Sequence, residues 1–388
     1  KSRDMHAKFL CGTGKAQEVK QLAVDCGADC VVFDNMLAPS QQREWERLID
    51  ECVIDREEVI LDIFAKRART REATLQVELA RMQYSLPRMA RMWSHLDRQG
   101  GGSGGGKGGG GAARGEGEKQ IEVDRRLARA RIEAIQKELV MVTRQRATQR
   151  KERERQAVAT AAIVGYTNAG KSSLLSLVSG SEVMARDMLF ATLDTTTRKI
   201  ELPNGQPLLL TDTVGFIRNL PHRLVEAFKS TLEEAVLADF LVQVVDASDP
   251  EAVRHYETTL EVLGELGAGD KPMIVVLNKL DLVPEEERAA LTERLAPHFN
   301  GSLVCMSVRE GQGTEDLLRA CVEMLESRVR RARFLIPYTR SDLAAAMHSE
   351  GMVISTEYVE EGALVEAVLP VAFYNKVNQF LAEPSCEE

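Results

Sequence analysis

The sequence IVGYTNAGKSS, at Ile163–Ser173, is the most informative segment of the chain. An apolar run typical of a buried strand precedes it and a helical pattern follows it, which is the context that the motif G-x-x-x-x-G-K-S requires. We expect the backbone N–H groups from Gly165 to Lys171 to surround a β-phosphate, helped by the N-terminus of the helix. The Lys171 charge would lie at the β- and γ-phosphates, and the Ser172 hydroxyl would bind Mg²⁺.

Two further segments follow predicted strands and extend this site. In DTVG (Asp212–Gly215), Asp212 is placed to hold Mg²⁺ through water and Gly215 to offer its N–H to a γ-phosphate. In NKLD (Asn278–Asp281), the carboxylate can accept both the ring N–H and the exocyclic amine of guanine. Adenine lacks this pair of donors, and paired bonds can reject the wrong ligand by roughly 10⁴-fold. The segments therefore predict that the nucleotide is GTP rather than ATP.

Two loops carry weaker signals. SVR (Ser307–Arg309) follows the last predicted strand, where a loop usually supports guanine O6, and Val308 stands where alanine is usual. FATLDTTTR (Phe190–Arg198) lies between the first helix and the next strand, where the first switch loop belongs. Position alone does not choose among its possible Mg²⁺ ligands, which are Thr192, Thr195, Thr196 and Thr197.

The residue that follows Gly215 is Phe216, where many GTPases place a glutamine that orients the attacking water. A phenyl ring cannot orient water, so the catalytic group is unknown. We expect unassisted turnover below about one per minute, with the missing group supplied by another part of the chain or by a partner.

These segments define the predicted nucleotide-binding residues. They are Gly165, Tyr166, Thr167, Asn168, Ala169, Gly170, Lys171, Ser172, Phe190, Ala191, Thr192, Leu193, Asp194, Asp212, Thr213, Val214, Gly215, Asn278, Lys279, Leu280, Asp281, Ser307, Val308 and Arg309.

Around this site, residues 157–331 alternate buried strand-like runs with helical segments, which predicts an α/β domain with a doubly wound, mostly parallel sheet. Such sheets bind ligands at the carboxyl ends of their strands. The predicted strands are Ala159–Val164, Leu208–Leu210, Phe240–Val245, Met273–Leu277 and Leu303–Met306.

The flanking regions predict three more units. Residues 1–60 read as a small α/β unit with strands at Lys8–Cys11 and Cys30–Phe33. Residues 61–156 carry two apolar stripes with 4-3-4-3 spacing, so we expect a long antiparallel helical hairpin with a glycine-rich tip at 99–117. Residues 334–388 read as a small α+β domain. The stripes are Leu75, Leu79, Met82, Leu86, Met89, Trp93 and Leu96, and Ala128, Ile132, Ile135, Leu139 and Val142, and Pro87 should kink the first helix.

Charge is unevenly distributed along these 388 residues, whose net charge is −9. Residues 66–98 carry eight Lys/Arg against three Asp/Glu, and residues 114–155 carry thirteen against eight. Two basic segments in an acidic protein suggest a polyanionic partner. The chain has no apolar run of 18 residues that would predict a membrane span, and seven scattered cysteines indicate a reducing compartment.

The chain resembles the HflX family of ribosome-associated GTPases over roughly residues 8–330. The resemblance lies in GYTNAGKSSL, FATLD-x-TTR and DTVGFIRNLPHRLVEAFKSTLEE, and in the more specific upstream stretches VFDNMLAPSQQREWE, LDIFAKRARTREATLQVELARMQYSLPRM and GEGEKQIEVDRR. It implies Ser172 and Thr192 as Mg²⁺ ligands. It also implies a hairpin inserted toward the peptidyl-transferase region of the large ribosomal subunit, subunit separation promoted by the GTP form, and release on hydrolysis.

The sequence departs from the bacterial pattern of that family at three points. Lys119 replaces a threonine at the hairpin tip, Glu57 follows Asp55-Arg56 where threonine is usual, and Thr195 replaces a proline in the switch loop. These departures favour a mitochondrial homologue, located in the matrix, over a protein of bacterial-type cytoplasm.

Three functions fit these observations. The first is a GTPase that acts on the ribosome, in subunit splitting or in late assembly of the large subunit. The second is a signalling-type GTP switch that binds a protein effector through the hairpin, and the third is a scaffold that does not hydrolyse GTP. Steep salt dependence of binding to large subunits would favour the first over the second.

Overall fold

A computed structural model describes residues 8–89, 122–142, 158–180, 190, 192–218, 229–326 and 329–382. The chain divides into two compact units, of which the first comprises residues 1–143 with 221–228 and the second the remainder. Within the described ranges, every helix is too short or too polar to cross a lipid bilayer.

The first unit begins as a small α/β structure whose two strands pair in parallel, with Cys30 opposite Cys52. Its core is built around Trp45, which is fully buried and packs against the rings of Phe9 and Phe33 at centroid distances of 5.1 and 4.8 Å. The elements are α1 (Thr13–Asp25), β1 (Cys30–Phe33), α2 (Pro39–Ile49), β2 (Cys52–Asp55), α3 (Arg56–Arg67), α4 (Arg71–Ser85), a 3₁₀ turn (Leu86–Arg88) and α5 (residues 122–142).

One predicted strand of this unit is wrong. Residues 8–11 form a turn, because Leu10 adopts a left-handed conformation with φ +57° that a strand does not allow. The apolar signal came instead from Phe9, whose ring is buried without belonging to a strand. The sequence analysis also missed β2 and α3, and α3 runs through residue 60, where we expected a domain boundary.

The helical hairpin is confirmed where the structure describes it. Leu75 and Leu79 of α4 pack with the fully buried Ile135 of α5. The ion pairs Arg71–Glu138 (2.9 Å) and Glu78–Arg131 (2.8 Å) join positions that rise along α4 and fall along α5, which makes the helices antiparallel. The interruption predicted at Pro87 is present, since α4 ends at Ser85 and a 3₁₀ turn follows. Trp93, Leu96 and the glycine-rich tip lie outside the described residues.

A buried polar joint ties the C-terminal end of α4 and the 3₁₀ turn that follows it to the α/β part. The Asp55 side chain caps α3 by accepting the N–H of Glu58 at 3.0 Å, and it also accepts the N–H of Leu37 and the hydroxyl of Tyr84, each at 3.0 Å. The Arg88 guanidinium is 3.5 Å from the same carboxylate and donates to the carbonyl oxygens of Leu37 (2.7 Å) and Tyr84 (3.0 Å). We call this group the Asp55–Arg88 joint.

The second unit contains the six-stranded sheet that sequence analysis predicted as mostly parallel. The strand order is β4-β5-β3-β6-β7-β8, and only β4 runs antiparallel to its neighbour. Its elements are β3 (Ala159–Gly165), α6 (Lys171–Ser179), β4 (Thr196–Glu201), β5 (Pro207–Asp212), α7 (Lys229–Leu237), β6 (Phe240–Asp246), α8 (Ala252–Glu265), β7 (Met273–Asn278), α9 (Glu285–Leu295), β8 (Ser302–Cys305) and α10 (Thr314–Glu326).

Strand β4 was not predicted, because it lies at the sheet edge and buries only Ile200 among polar residues. It begins at Thr196, inside the predicted switch loop, and the Thr197 hydroxyl is bonded to that of Thr211 in β5 at 2.9 Å. Thr196 and Thr197 therefore belong to the ladder that pairs β4 with β5, whereas Thr192 and Thr195 precede it.

The second unit ends in a three-stranded antiparallel sheet in the order β10-β11-β9. The predicted hairpin and its preceding helix are confirmed. Strand β9 was not predicted and begins before residue 334, and the last helix is shorter than expected. The elements are β9 (Val329–Ile336), α11 (Ser341–Glu350), β10 (Met352–Val359), β11 (Gly362–Pro370) and α12 (Val371–Val377).

The Asp55–Arg88 joint leads to a stability prediction. Substituting Arg88→Met leaves the Asp55 carboxylate buried without its cation, so the free energy of unfolding of the first unit should fall by about 3 kcal/mol. Both tryptophans, Trp45 and Trp93, belong to this unit, so urea denaturation followed by tryptophan fluorescence measures it.

The matched control is Arg131→Met, which breaks an ion pair whose arginine is 47% exposed. Exposed pairs are screened by solvent, so this variant should keep the wild-type denaturation midpoint. Equal effects of the two substitutions would contradict the structural role given to Arg88.

Candidate nucleotide site

The predicted segments meet at one edge of the six-stranded sheet. The phosphate-binding loop follows β3, DTVG follows β5, NKLD follows β7 and SVR follows β8. These strands are parallel, so their carboxyl ends lie side by side. The site therefore lies at the sheet edge where the parallel-sheet rule places ligands.

Two glycines give the loop its path. Gly165 and Gly170 have φ values of +145° and +103°, which side chains other than glycine rarely adopt. A Cβ atom at Gly165 would lie 2.3 Å from the carbonyl oxygen of Val244, and one at Gly170 would lie 2.3 Å from the amide nitrogen of Asn278. The loop can thus pass close to β6 and to the NKLD segment only with glycine at both positions.

Asn278 connects three of the loops through its side chain. Its Nδ2 donates to the carbonyl of Ala169 in the phosphate-binding loop at 2.8 Å, and its Oδ1 accepts the N–H of Val308 at 3.0 Å. The residue is buried, so solvent does not compete strongly for these bonds. We call this arrangement the Asn278 bridge.

Beside the Asn278 bridge lies a cavity of about 790 Å³, lined by residues that include Gly170, Lys279, Asp281 and Arg309. Asp281 accepts the Ser307 hydroxyl on Oδ1 at 2.8 Å, which fixes the plane of its carboxylate. The Lys279 ammonium is held 2.7 Å from Asp246, at the end of β6. The cavity thus has a fixed carboxylate of the kind that can accept two donors from a planar base.

The structure brings together the three proposed metal ligands. The Ser172 hydroxyl is 2.5 Å from that of Thr192 and 2.6 Å from Oδ2 of Asp212, and Thr192 is 2.9 Å from the same oxygen. The other oxygen of Asp212, Oδ1, is buried and has no hydrogen-bond partner among the residues that the structure describes. Burial raises the pKa of Asp212, although Lys171 and the two hydroxyls act to lower it. This oxygen-rich set fits Mg²⁺, whose charge would favour the ionised carboxylate.

Lys171 is the buried cation of the site, with 6% of its surface exposed. Its ammonium donates to the carbonyl of Tyr166 at 2.8 Å. Burial lowers the pKa of Lys171 to about 8, against the opposing effect of the Asp212 charge. An anion bound at this loop would therefore favour the protonated lysine.

Phe216 is buried beside the phosphate-binding loop. Its side chain is 1% exposed, its N–H donates to Gly165 O at 3.1 Å, and its carbonyl accepts the N–H of Thr167 at 2.8 Å. The main chain after DTVG is therefore paired with the phosphate-binding loop.

Some of the remaining predicted residues have structural roles. Phe190 is buried and donates its N–H to the Thr167 hydroxyl at 3.0 Å, and the Thr213 hydroxyl donates to Ile163 O at 2.7 Å. The side chains of Leu193, Val214 and Leu280 are buried. Ala191 lies outside the described residues.

One contact of the site was not predicted from sequence. The ring of Tyr166 stacks on that of His255, with centroids 3.8 Å apart and planes inclined by 13°. His255 belongs to α8, which no nucleotide motif marks, so only the fold brings the two rings together.

Three protein families match successive parts of the chain. They are described as GTP-binding GTPase N-terminal (residues 1–65), GTP-binding GTPase Middle Region (residues 67–153) and 50S ribosome-binding GTPase (residues 160–279).

The chain is also similar to individual proteins. It is 91% identical over 383 residues to GTPase HflX of Akkermansia muciniphila, covering 99% of this chain and 88% of the relative. It is 42% identical to GTPase HflX of Escherichia coli, covering 93% and 82%. A GTP-binding protein from Sulfolobus solfataricus, solved in complex with GDP, matches at 25% identity with a TM-score of 0.45, covering 84% and 89%.

The close approach at Gly170 leads to a prediction. In Gly170→Ala, the new methyl group would displace the Asn278 amide and strain a backbone with φ +103°, so affinity for GDP should fall by about 100-fold or more. Calorimetric titration measures this loss. Gly180→Ala is the control, since Gly180 also has positive φ but has open space around it. Similar losses in both variants would refute the role of the contact.

The depressed pKa of Lys171 predicts a pH dependence. Bound phosphate favours the charged lysine, whereas the free protein loses this charge as pH rises through about 8. Affinity for GDP should therefore be about fourfold lower at about pH 8.5 than at about pH 7. Calorimetry in two buffers of different ionisation enthalpy should detect proton uptake at the higher pH. Binding without proton uptake there would contradict the assignment.

Proposed function

The chain belongs to the HflX family of ribosome-associated GTPases and is a GTP hydrolase, and on that premise we propose that it binds the large ribosomal subunit. In this proposal the GTP form promotes subunit splitting and recycling, or late assembly of the large subunit, and hydrolysis drives release. The observation that carries the proposal is the match of residues 160–279 to a family described as a 50S ribosome-binding GTPase.

The proposed nucleotide site assigns a task to each loop. Main-chain N–H groups from Gly165 to Lys171 bind the phosphates, the Lys171 ammonium balances their charge, and Asp281 accepts the two guanine donors. Ser172 and Thr192 would hold Mg²⁺ directly and Asp212 through water. The ion would supply positive charge at the β- and γ-phosphate oxygens. The geometry that supports this assignment is the 2.5–2.9 Å cluster of these three side chains beside the unpartnered Asp212 oxygen.

Hydrolysis by the isolated protein is expected to be slow. Because Phe216 is buried and paired through its main chain, the segment after Gly215 offers no side chain at that position to orient water. A large subunit that stimulates hydrolysis would couple release of the protein to completion of its task.

Charge on the hairpin supports an RNA partner. Arg126 and Arg129 are exposed on α5, within the segment of thirteen Lys/Arg and eight Asp/Glu. Ribosomal RNA presents closely spaced phosphates, which such cations contact without reading sequence. A protein effector offers no comparable density of negative charge, so this feature favours the ribosome over the signalling alternative.

The organisms in which the similar proteins occur are relevant to the place where this protein acts. The similar HflX proteins described above come from bacteria, so they give no support to the mitochondrial interpretation. We therefore place the proposed activity in bacterial cytoplasm, where the substrate would be the bacterial ribosome.

Sedimentation of ribosomes through a sucrose gradient tests the function. Protein with a non-hydrolysable GTP analogue should migrate with large subunits and reduce the amount of assembled ribosomes, whereas protein with GDP should remain at the top. Deleting residues 100–117 should preserve nucleotide binding and abolish the effect on ribosomes. Association independent of the nucleotide, or full activity of the deletion variant, would reject the proposal.

The hairpin charges generate a more specific prediction. The double substitution Arg126→Ala, Arg129→Ala should weaken binding to large subunits and reduce the slope of log affinity against log salt by about two, one per lost phosphate contact. Binding at several salt concentrations measures the slope.

The control is Arg331→Ala, Arg333→Ala, which removes two exposed arginines that are already paired with Glu366. Equal changes of slope in both double variants would show that attraction is not localised to the hairpin. Binding that does not depend on salt would favour a protein effector instead.

A further inference from the structure

Tyr166 joins the phosphate-binding loop to the segment that follows DTVG. Its hydroxyl accepts the N–H of Arg218 at 3.1 Å, and its main chain forms a parallel bridge with Phe216. The same residue accepts the Lys171 ammonium on its carbonyl oxygen. One tyrosine therefore contacts both the cation of the site and the segment that follows DTVG.

The segment held in this way passes directly beside the phosphate position. A Cβ atom at Gly215 would lie 2.9 Å from the Lys171 ammonium and 2.9 Å from the Cα atom of Thr167. The main chain at Gly215 is thus as close to the loop as packing permits. A shift of the segment by a fraction of an ångström would change the distance from the Gly215 N–H to any γ-phosphate bound there.

The Tyr166 ring is itself supported from behind. It lies flat on the imidazole of His255, and the His255 Nδ1 atom is 3.6 Å from the carboxylate of Asp249. The main-chain N–H of His255 donates to the main-chain carbonyl of Glu251 in the first turn of α8. His255 therefore lies on a helix, and its stack on Tyr166 limits rotation of the tyrosine ring.

We propose that Tyr166 is a positioning residue for GTP hydrolysis, whose hydroxyl, backed by His255, holds the chain at Arg218 so that the Gly215 amide meets the γ-phosphate. The inference rests on the proposed nucleotide site. It goes beyond the phosphate-loop motif, in which the position of Tyr166 is unrestricted. Because Phe216 supplies no water-orienting side chain, main-chain placement carries more of the catalytic burden here than in GTPases with a glutamine.

The test is Tyr166→Phe, which removes the hydroxyl and keeps the ring. GDP has no γ-phosphate, so its affinity should change less than about twofold. Affinity for a non-hydrolysable GTP analogue and kcat for hydrolysis should each fall by about three- to tenfold, the loss expected for one hydrogen bond. His255→Ala should act in the same direction, and His255→Phe should restore the wild-type values because it keeps a ring for stacking.

Tyr256→Phe is the matched control. The Tyr256 hydroxyl also accepts a backbone N–H, that of Asn300 at 3.0 Å, on a segment without predicted nucleotide-binding residues. This variant should keep the wild-type ratio of analogue to GDP affinity and the wild-type kcat.

Two results would overturn the inference: equal loss of both nucleotides in Tyr166→Phe, which indicates a merely structural role, or an unchanged kcat and affinity ratio. Wild-type protein that bound neither nucleotide would reject the nucleotide site itself, and the inference with it.

Discussion

The Asn278 side chain holds the site together, because its two hydrogen bonds connect segments that are 109 and 30 residues away along the chain. The amide is one rigid plane, so the Ala169 carbonyl and the Val308 N–H are set at a fixed separation. Gly170 must then lack a side chain, since the amide occupies that space. The phosphate-binding loop and the neighbouring cavity are therefore held together, and the Asn278 side chain sets the distance between them.

A second constraint is that Lys171 and Asp212, whose charges are opposite, are both buried in the protein interior. Burial lowers the pKa of Lys171 and raises that of Asp212, so the protein interior disfavours the charged form of each. Both charged forms suit a triphosphate and its cation. A bound anion beside Lys171 and a bound cation beside Asp212 would each act against the effect of burial on these two groups.

A motif can be read from sequence where φ, charge or donor pattern demands a particular residue, whereas a feature that depends on packing alone leaves little signal. The glycines, Lys171 and Asp281 are constrained by φ, charge and donor pattern, so their motifs were readable. Strand β4 was not predicted because a polar strand at the sheet edge has no apolar run. The turn at residues 8–11 was predicted as a strand because it contains the buried apolar residue Phe9. The stack of Tyr166 on His255 depends on how α8 crosses β3, and one sequence alone carries no signal for that contact.

The Asp55–Arg88 joint limits how the helical hairpin can move relative to β2 and α3. Apolar seams such as Leu75–Leu79–Ile135 resist separation but permit sliding and rolling, because hydrophobic attraction has no direction. The guanidinium bonds of Arg88 do have direction, and they lie at the point where α4 gives way to the 3₁₀ turn. A rotation of the helical hairpin would therefore be transmitted to β2 and α3 through these bonds. The described part of the helical hairpin is better suited to transmit force as a rigid element than to act as a flexible linker.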